Sequence, residues 1–181
     1  MSDLDLSSEA CERRLSAALT EITTHPERWD QGVWALVEEA TLEDLRGTLD
    51  RHEWPCGTFA CLAGTVVIQG GYAEARDDSR LHGSFYLVIS EAGCDELRDH
   101  PWAMRNWNNP QIDFGGLAAL LCGLTLEQSG QLFDSDNELR TLWQLATVIS
   151  HGRITLPAEL DAVVTNIDNS RDGAGLADAS A

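Results

Sequence analysis

The chain has 181 residues, of which 43% are hydrophobic, and its 30 acidic and 12 basic side chains give a formal net charge of −18. This length is enough for one hydrophobic core and too short for two domains of usual size. The negative charge disfavours direct binding to nucleic acid or to anionic membranes, where Lys and Arg supply most of the affinity.

The N-terminus and the cysteines point to one compartment. No stretch of about eighteen apolar residues is present, and residues 1–9 are acidic where a secretory signal would be basic and then apolar. Five cysteines at irregular spacings do not form the pattern of a disulfide framework, so reduced thiols are expected. We therefore predict a cytoplasmic protein that does not enter a membrane.

The first part of the chain predicts helices. Ser8 can cap a helix that ends at His25-Pro26 and has one apolar stripe, made of Leu15, Ala18, Leu19 and Ile22. A second helix is predicted to bury four residues at helical spacing, namely Trp29, Val33, Trp34 and Val37. A third helix is predicted to begin at Thr41.

The segment Cys56-Gly57-Thr58-Phe59-Ala60-Cys61-Leu62-Ala63-Gly64 places two thiols at the predicted start of a buried helix that ends at Gly70-Gly71. With Thr58 as the N-cap, Cys61 would be the third helical residue. Free amides and the helix dipole would favour a thiolate at that position. The alternative is that Cys56 and Cys61 are small buried residues of the core.

The middle of the chain predicts a small β element and a loop. Residues 85–89 form a β-rich apolar run that suggests a short ribbon. The following loop contains side chains typical of an interface hot spot, namely Trp102, Met104, Arg105 and Trp107. Alternatively, Trp102 and Trp107 are anchors of the core, so the loop has both a binding and a structural interpretation.

Helical pattern returns near Leu117 and ends at Gly123. Capping boxes are predicted at residues 125–128 and 135–138, and the second precedes a strongly amphipathic helix over residues 139–149. Pro157 can open a last short helix. The sequence thus predicts a mainly α fold, a single-domain helical bundle with a small β-ribbon over residues 1–167 and a flexible acidic tail over residues 168–181.

A combination of short patterns carries a resemblance: Trp29-Asp30-Gln31-x-x-Trp34, Cys56-Gly57-Thr58-x-x-Cys61-x-Ala63-Gly64, Leu121-x-Gly123-Leu124-Thr125 and Leu142-Trp143. Over roughly residues 25–160 the chain resembles a group of small proteins of actinobacteria and their phages, for which no activity is established. The use of Arg for every basic side chain agrees with a GC-rich source of this kind. The resemblance implies a source and a fold, and it assigns no functional residue.

The cysteines also allow catalytic and metal-binding interpretations. A cysteine-dependent enzyme or redox protein would use Cys56 or Cys61, with His52 as a base. A zinc site would add ligands from elsewhere, namely Cys94, His100, Cys122 or His151. Because paired ligand knuckles are absent from the sequence, we predict neither a metal nor a cofactor.

We therefore predict a non-catalytic interaction domain that binds a protein partner through the Trp102 loop and its acidic surface. The overall field favours a basic partner. One alternative is the cysteine-dependent enzyme described above. The other is an acidic mimic of DNA, whose binding would depend on surface acids such as Glu38, Glu39, Glu43 and Asp44.

Overall fold

Helices dominate the fold in a computed structural model of the protein, which describes residues 5–33, 36–38, 58–77, 84–91, 93, 95 and 113–175. The helices are α1 (Ser8–Thr24), α2 (Leu62–Gln69), α3 (Asp113–Leu121), α4 (Leu126–Leu132), α5 (Leu139–Ile149) and α6 (Ala158–Gly175). The strands are β1 (Leu36–Glu38), β2 (Thr58–Phe59), β3 (Ala73–Asp77) and β4 (Ser84–Ile89). A mainly helical fold with a small antiparallel sheet confirms the predicted fold class.

Helix α1 follows the sequence prediction closely. Its predicted apolar stripe is buried, and the chain leaves the helix at His25, before Pro26. The N-cap is Ser7 instead of Ser8, and its hydroxyl accepts a hydrogen bond from the Ala10 amide at 3.3 Å. This cap satisfies one of the amides that every helix leaves without an internal partner.

The sheet has the order β2-β1-β4-β3, and all its pairings are antiparallel. Beside it, Trp29 forms a parallel bridge with Ala60, and the Cys61 amide donates to the Val33 carbonyl at 2.7 Å. The helix predicted to contain Trp29 and Val33 is therefore wrong. The chain instead turns at Gln31 and Gly32, where the Val33 amide donates to the Asp30 carbonyl at 3.2 Å, and the contacts with Ala60 and Cys61 are too far along the chain for periodicity to reveal.

Helix α2 lies at the centre of the core and packs between α1 and α3. All its residues from Leu62 to Ile68 are buried. The prediction that this helix starts at Thr58 is wrong, because Thr58 and Phe59 pair with β1 and the helix begins at Leu62. The predicted stop at Gly70-Gly71 is confirmed, and Gly71 has the positive φ of 74° that favours glycine.

The C-terminal helices combine local and long-range caps. The capping box of Thr125 and Gln128 is present at the start of α4, as predicted. The second predicted box is wrong: Glu138 is the N-cap of α5 and makes no side-chain cap bond. Instead, the Asp168 carboxylate on α6 accepts hydrogen bonds from the Leu139 and Arg140 amides, at 3.1 and 3.2 Å.

Helix α6 runs from Ala158 to Gly175, so it is longer than the short helix predicted after Pro157. The predicted domain boundary at residue 168 falls inside this helix. Asp168 caps α5 and Val164 is fully buried, so α6 is part of the folded core and not a separate tail at this point. Within the described residues, no helix has both the length and the apolar character needed to cross a membrane.

Candidate functional site

Most side chains that the sequence predicts to be functional lie outside the described residues. These are the loop residues Trp102, Met104, Arg105 and Trp107, and the thiol and imidazole candidates His52, Cys56, Cys94 and His100. Their predicted roles stay predictions. The described candidates are Cys61, Cys122 and His151.

Cys61 is the N-cap of α2 and not its third residue, so its predicted position is wrong. Its sulfur accepts a hydrogen bond from the Gly64 amide at 3.5 Å, and only 2% of the residue is exposed. Burial raises the pKa of the Cys61 thiol to about 11, although the hydrogen bond from the Gly64 amide acts in the opposite direction. Loss of solvation outweighs the helix terminus, so Cys61 is a protonated cap at neutral pH.

We expect the Cys61 thiol to resist alkylation by iodoacetamide in the native protein at pH 7–9 and to react rapidly after unfolding. The folded thiol ionises only near pH 11, and alkylation requires the thiolate. Mass spectrometry of a Cys56→Ser variant, in which the peptide 52–76 retains Cys61 as its one thiol, measures this reactivity. Rapid native labelling of Cys61 would restore the reactive-cysteine interpretation.

The described metal candidates do not converge. Within residues 5–33, 58–77 and 113–175 and the other described positions, no group of three or more His, Cys, Asp or Glu side chains is arranged to hold a metal ion. Cys122 is 7% exposed at the end of α3, and burial raises the pKa of its thiol to about 12. Its surroundings therefore suit a protonated thiol.

A groove of about 750 Å³ lies between α1 and the C-terminal end of α2. We call it the α1–α2 groove, and it is lined by Arg13, Arg14, Ser16, Ala17, Thr20, Glu21, Val66, Gln69 and Gly70. Val66 is buried at 2% exposure, whereas Ala17 is exposed on α1. The lining is more apolar than polar, which is typical of surfaces that bind ligands or protein segments.

One of the lining residues, Gln69, has a polar atom without a hydrogen-bond donor in the part of the chain that the structure describes. Its Oε1 atom is buried, and within the described residues it accepts no hydrogen bond. A buried polar atom left in this state costs about 1–3 kcal/mol relative to one that is satisfied. Because Gln69 lines the groove, rotation of its side chain would let Oε1 accept an N–H or O–H donor from a bound molecule and recover part of this cost.

Two arginines line the same groove in a protein that is otherwise rich in acids. Arg13 donates to Glu9 at 3.3 Å in an exposed pair, and such pairs stabilise a fold only weakly. Arg14 donates through Nη1 to the Leu121 carbonyl at 3.1 Å. A guanidinium has five N–H donors, so both side chains retain donors for a carboxylate in the groove.

The third charged residue of the groove, Glu21, already pairs with an arginine and lies beside a histidine. Its carboxylate lies 3.2 Å from Nδ1 of His25 and 3.4 Å from Nη1 of Arg28. Of the charged residues that line the groove, two are arginines and one is a glutamate, a balance opposite to that of the whole protein. The sequence contains the two adjacent arginines as a visible signal, but it does not show that Gln69 and Val66 lie across from them.

Comparison of the chain with models of protein families, with curated proteins and with solved structures found no match. The resemblance to small actinobacterial and phage proteins therefore stays a prediction.

Proposed function

We propose that the protein is a non-catalytic interaction domain that holds a peptide segment of a protein partner in the α1–α2 groove. The Gln69 side chain is the observation that carries this proposal, because it lines a groove with a mainly apolar surface and its buried Oε1 atom has no donor among the described residues. An apolar ligand alone would leave that oxygen without a donor. A peptide supplies both apolar side chains and N–H groups.

The groove also indicates the chemistry of the segment. An apolar side chain would lie beside Ala17, where it removes exposed apolar surface from water. A carboxylate on the segment would meet the guanidinium groups of Arg13 and Arg14. The partner is basic overall in our proposal, because the net charge of −18 acts at longer range than these two side chains.

The proposals on localisation and on the Trp102 loop are consistent with peptide binding in the groove. We place the protein in the cytoplasm, which is supported by free thiols at Cys11 and Cys122. The Trp102 loop is proposed as a second contact surface on the strength of its composition. The DNA-mimic and cysteine-enzyme alternatives receive less support: Cys61 is buried and protonated, and the acids named for mimicry have no described side chains.

Selection from a displayed library of random short peptides tests the proposal and does not require an identified partner. We expect peptides selected on the wild-type protein to share an apolar residue and an Asp or Glu. The Arg13→Lys variant should bind the same peptides because it keeps the positive charge. The Arg13→Glu variant should bind them at least about tenfold more weakly, a loss of about 1.4 kcal/mol.

The charge reversal also makes a prediction about new ligands. Peptides selected directly on the Arg13→Glu variant should carry Lys or Arg in place of the acid. If the selected peptides show no dependence on residue 13, or if none bind the wild-type protein, then the α1–α2 groove is not the binding site. Circular dichroism of each variant confirms that its helical content is unchanged.

A further inference from the structure

Two thiols that are far apart in the sequence lie at one cleft. Cys11 on α1 and Cys122 after α3 both line a cleft of about 280 Å³. The Cys11 sulfur lies 3.1 Å from the position that a Cβ atom on Gly123 would occupy. Gly123 has a φ of +63° and is bonded directly to Cys122, so the absence of a side chain at 123 lets the Cys11 thiol reach the backbone beside Cys122.

Arg14 brings a positive charge to the same two thiols. It follows Cys11 by nearly one helical turn, and its Nη1 atom donates to the Leu121 carbonyl at 3.1 Å, next to Cys122. Burial raises the pKa of both thiols, and the guanidinium opposes that effect at both. The Cys11 thiol donates to the Leu6 carbonyl at 3.6 Å, and the Arg14 guanidinium is the largest influence that favours its thiolate, so Cys11 is the better placed of the two to ionise.

We propose that Cys11 and Cys122 form a reversible disulfide when the protein meets a peroxide. Both are free thiols, so the structure represents the reduced state. Both cysteines line the cleft, whose volume is large enough for a molecule as small as hydrogen peroxide. Disulfides in a reducing compartment are mostly transient and respond to oxidants, which suits two unbonded thiols that line one cleft.

The reaction has two steps. The Cys11 thiolate attacks one peroxide oxygen, the O–O bond breaks, and the departing hydroxide takes up the proton released by Cys11, which leaves a sulfenic acid and one water. The Cys122 sulfur then attacks the sulfenic sulfur, the S–O bond breaks, and a second water leaves with the proton of Cys122. Two thiols lose two electrons in total, and one hydrogen peroxide is reduced to two waters.

Trypsin digestion makes the product easy to identify. Cys11 is the one cysteine of peptide 1–13 and Cys122 the one cysteine of peptide 106–140, while the remaining cysteines belong to peptides 52–76 and 81–98. After treatment of the full-length protein with hydrogen peroxide, we expect peptides 1–13 and 106–140 to appear as one linked species without two hydrogens. Treatment with dithiothreitol should release both peptides.

Matched variants separate this pair from general thiol oxidation. Cys11→Ala and Cys122→Ala should each abolish the linked species, whereas Cys61→Ala should retain it. Arg14→Gln should slow its formation because the thiolate loses its nearest cation. The proposal is overturned if the wild-type protein gives no linked species, if Cys11 pairs with another cysteine, or if dithiothreitol does not reverse the product.

Discussion

Replacing Trp143 by alanine is expected to lower the free energy of unfolding by about 3–5 kcal/mol, as is usual when a large buried aromatic side chain is removed. Trp143 lies on α5 with 2% exposure, and its indole N–H donates to the Thr23 hydroxyl of α1 at 3.0 Å. Thr23 in turn donates to the Leu19 carbonyl at 2.7 Å. The substitution therefore removes both a core side chain and a polar link between helices. Urea denaturation measures the loss.

Two control variants separate the contribution of the hydrogen bond from that of core packing. Thr23→Val keeps the shape but removes the acceptor of the indole N–H, and should cost about 1–3 kcal/mol. Val148→Ala changes a residue on the same helix that is 72% exposed, and should stay within about 0.5 kcal/mol of wild type. If Trp143→Ala lowered the free energy of unfolding no more than Val148→Ala does, the result would contradict the packing of α5 on α1 through Trp143.

Replacing Gln31 by leucine should cost about 2–4 kcal/mol in urea denaturation, because Leu cannot replace any of its hydrogen bonds. Gln31 is 4% exposed, and its Oε1 accepts from the Trp29 indole at 3.1 Å and from the Leu62 amide at 3.2 Å. Its Nε2 donates to the carbonyls of Leu132 and Asp134, at 3.5 and 3.1 Å. One side chain thus joins the start of α2 to the end of α4.

The Gln31→Glu variant isolates the donor half of this network. A carboxylate still accepts from the Leu62 amide, but it meets the Leu132 and Asp134 carbonyls without a proton. Burial and these carbonyls favour the protonated acid, so its folded pKa should be raised. The stability difference from wild type should therefore shrink as the pH falls toward 4. A difference that is independent of pH would contradict this account of Gln31.

The sequence predicts those parts of the fold that local interactions determine. The stripe of α1, the capping box at Thr125 and the amphipathic face of α5 each depend on residues within a few positions of one another. The errors concern elements with distant partners. Trp29 pairs with Ala60, and α5 takes its cap from Asp168, neither of which periodicity can reveal.

The candidate site depends even more on tertiary contacts. Cys61 is visible as a helix-terminal cysteine, but its raised pKa follows from burial by elements remote in sequence. Gln69 looks like an ordinary helix end, and its unsatisfied oxygen is a property of the folded α1–α2 groove. Cys11 and Cys122 are separated by most of the chain, so their shared cleft emerges only from the packing of α1 on the end of α3.

Filling the groove tests the proposed interaction most directly. Ala17 and Ala162 are both exposed helical alanines, but only Ala17 lines the groove. Isothermal titration with a peptide selected on the wild-type protein should show that Ala17→Trp weakens binding at least about tenfold, or about 1.4 kcal/mol, while Ala162→Trp binds as wild type. Equal affinity of the Ala17→Trp variant and the wild-type protein would contradict binding in the α1–α2 groove.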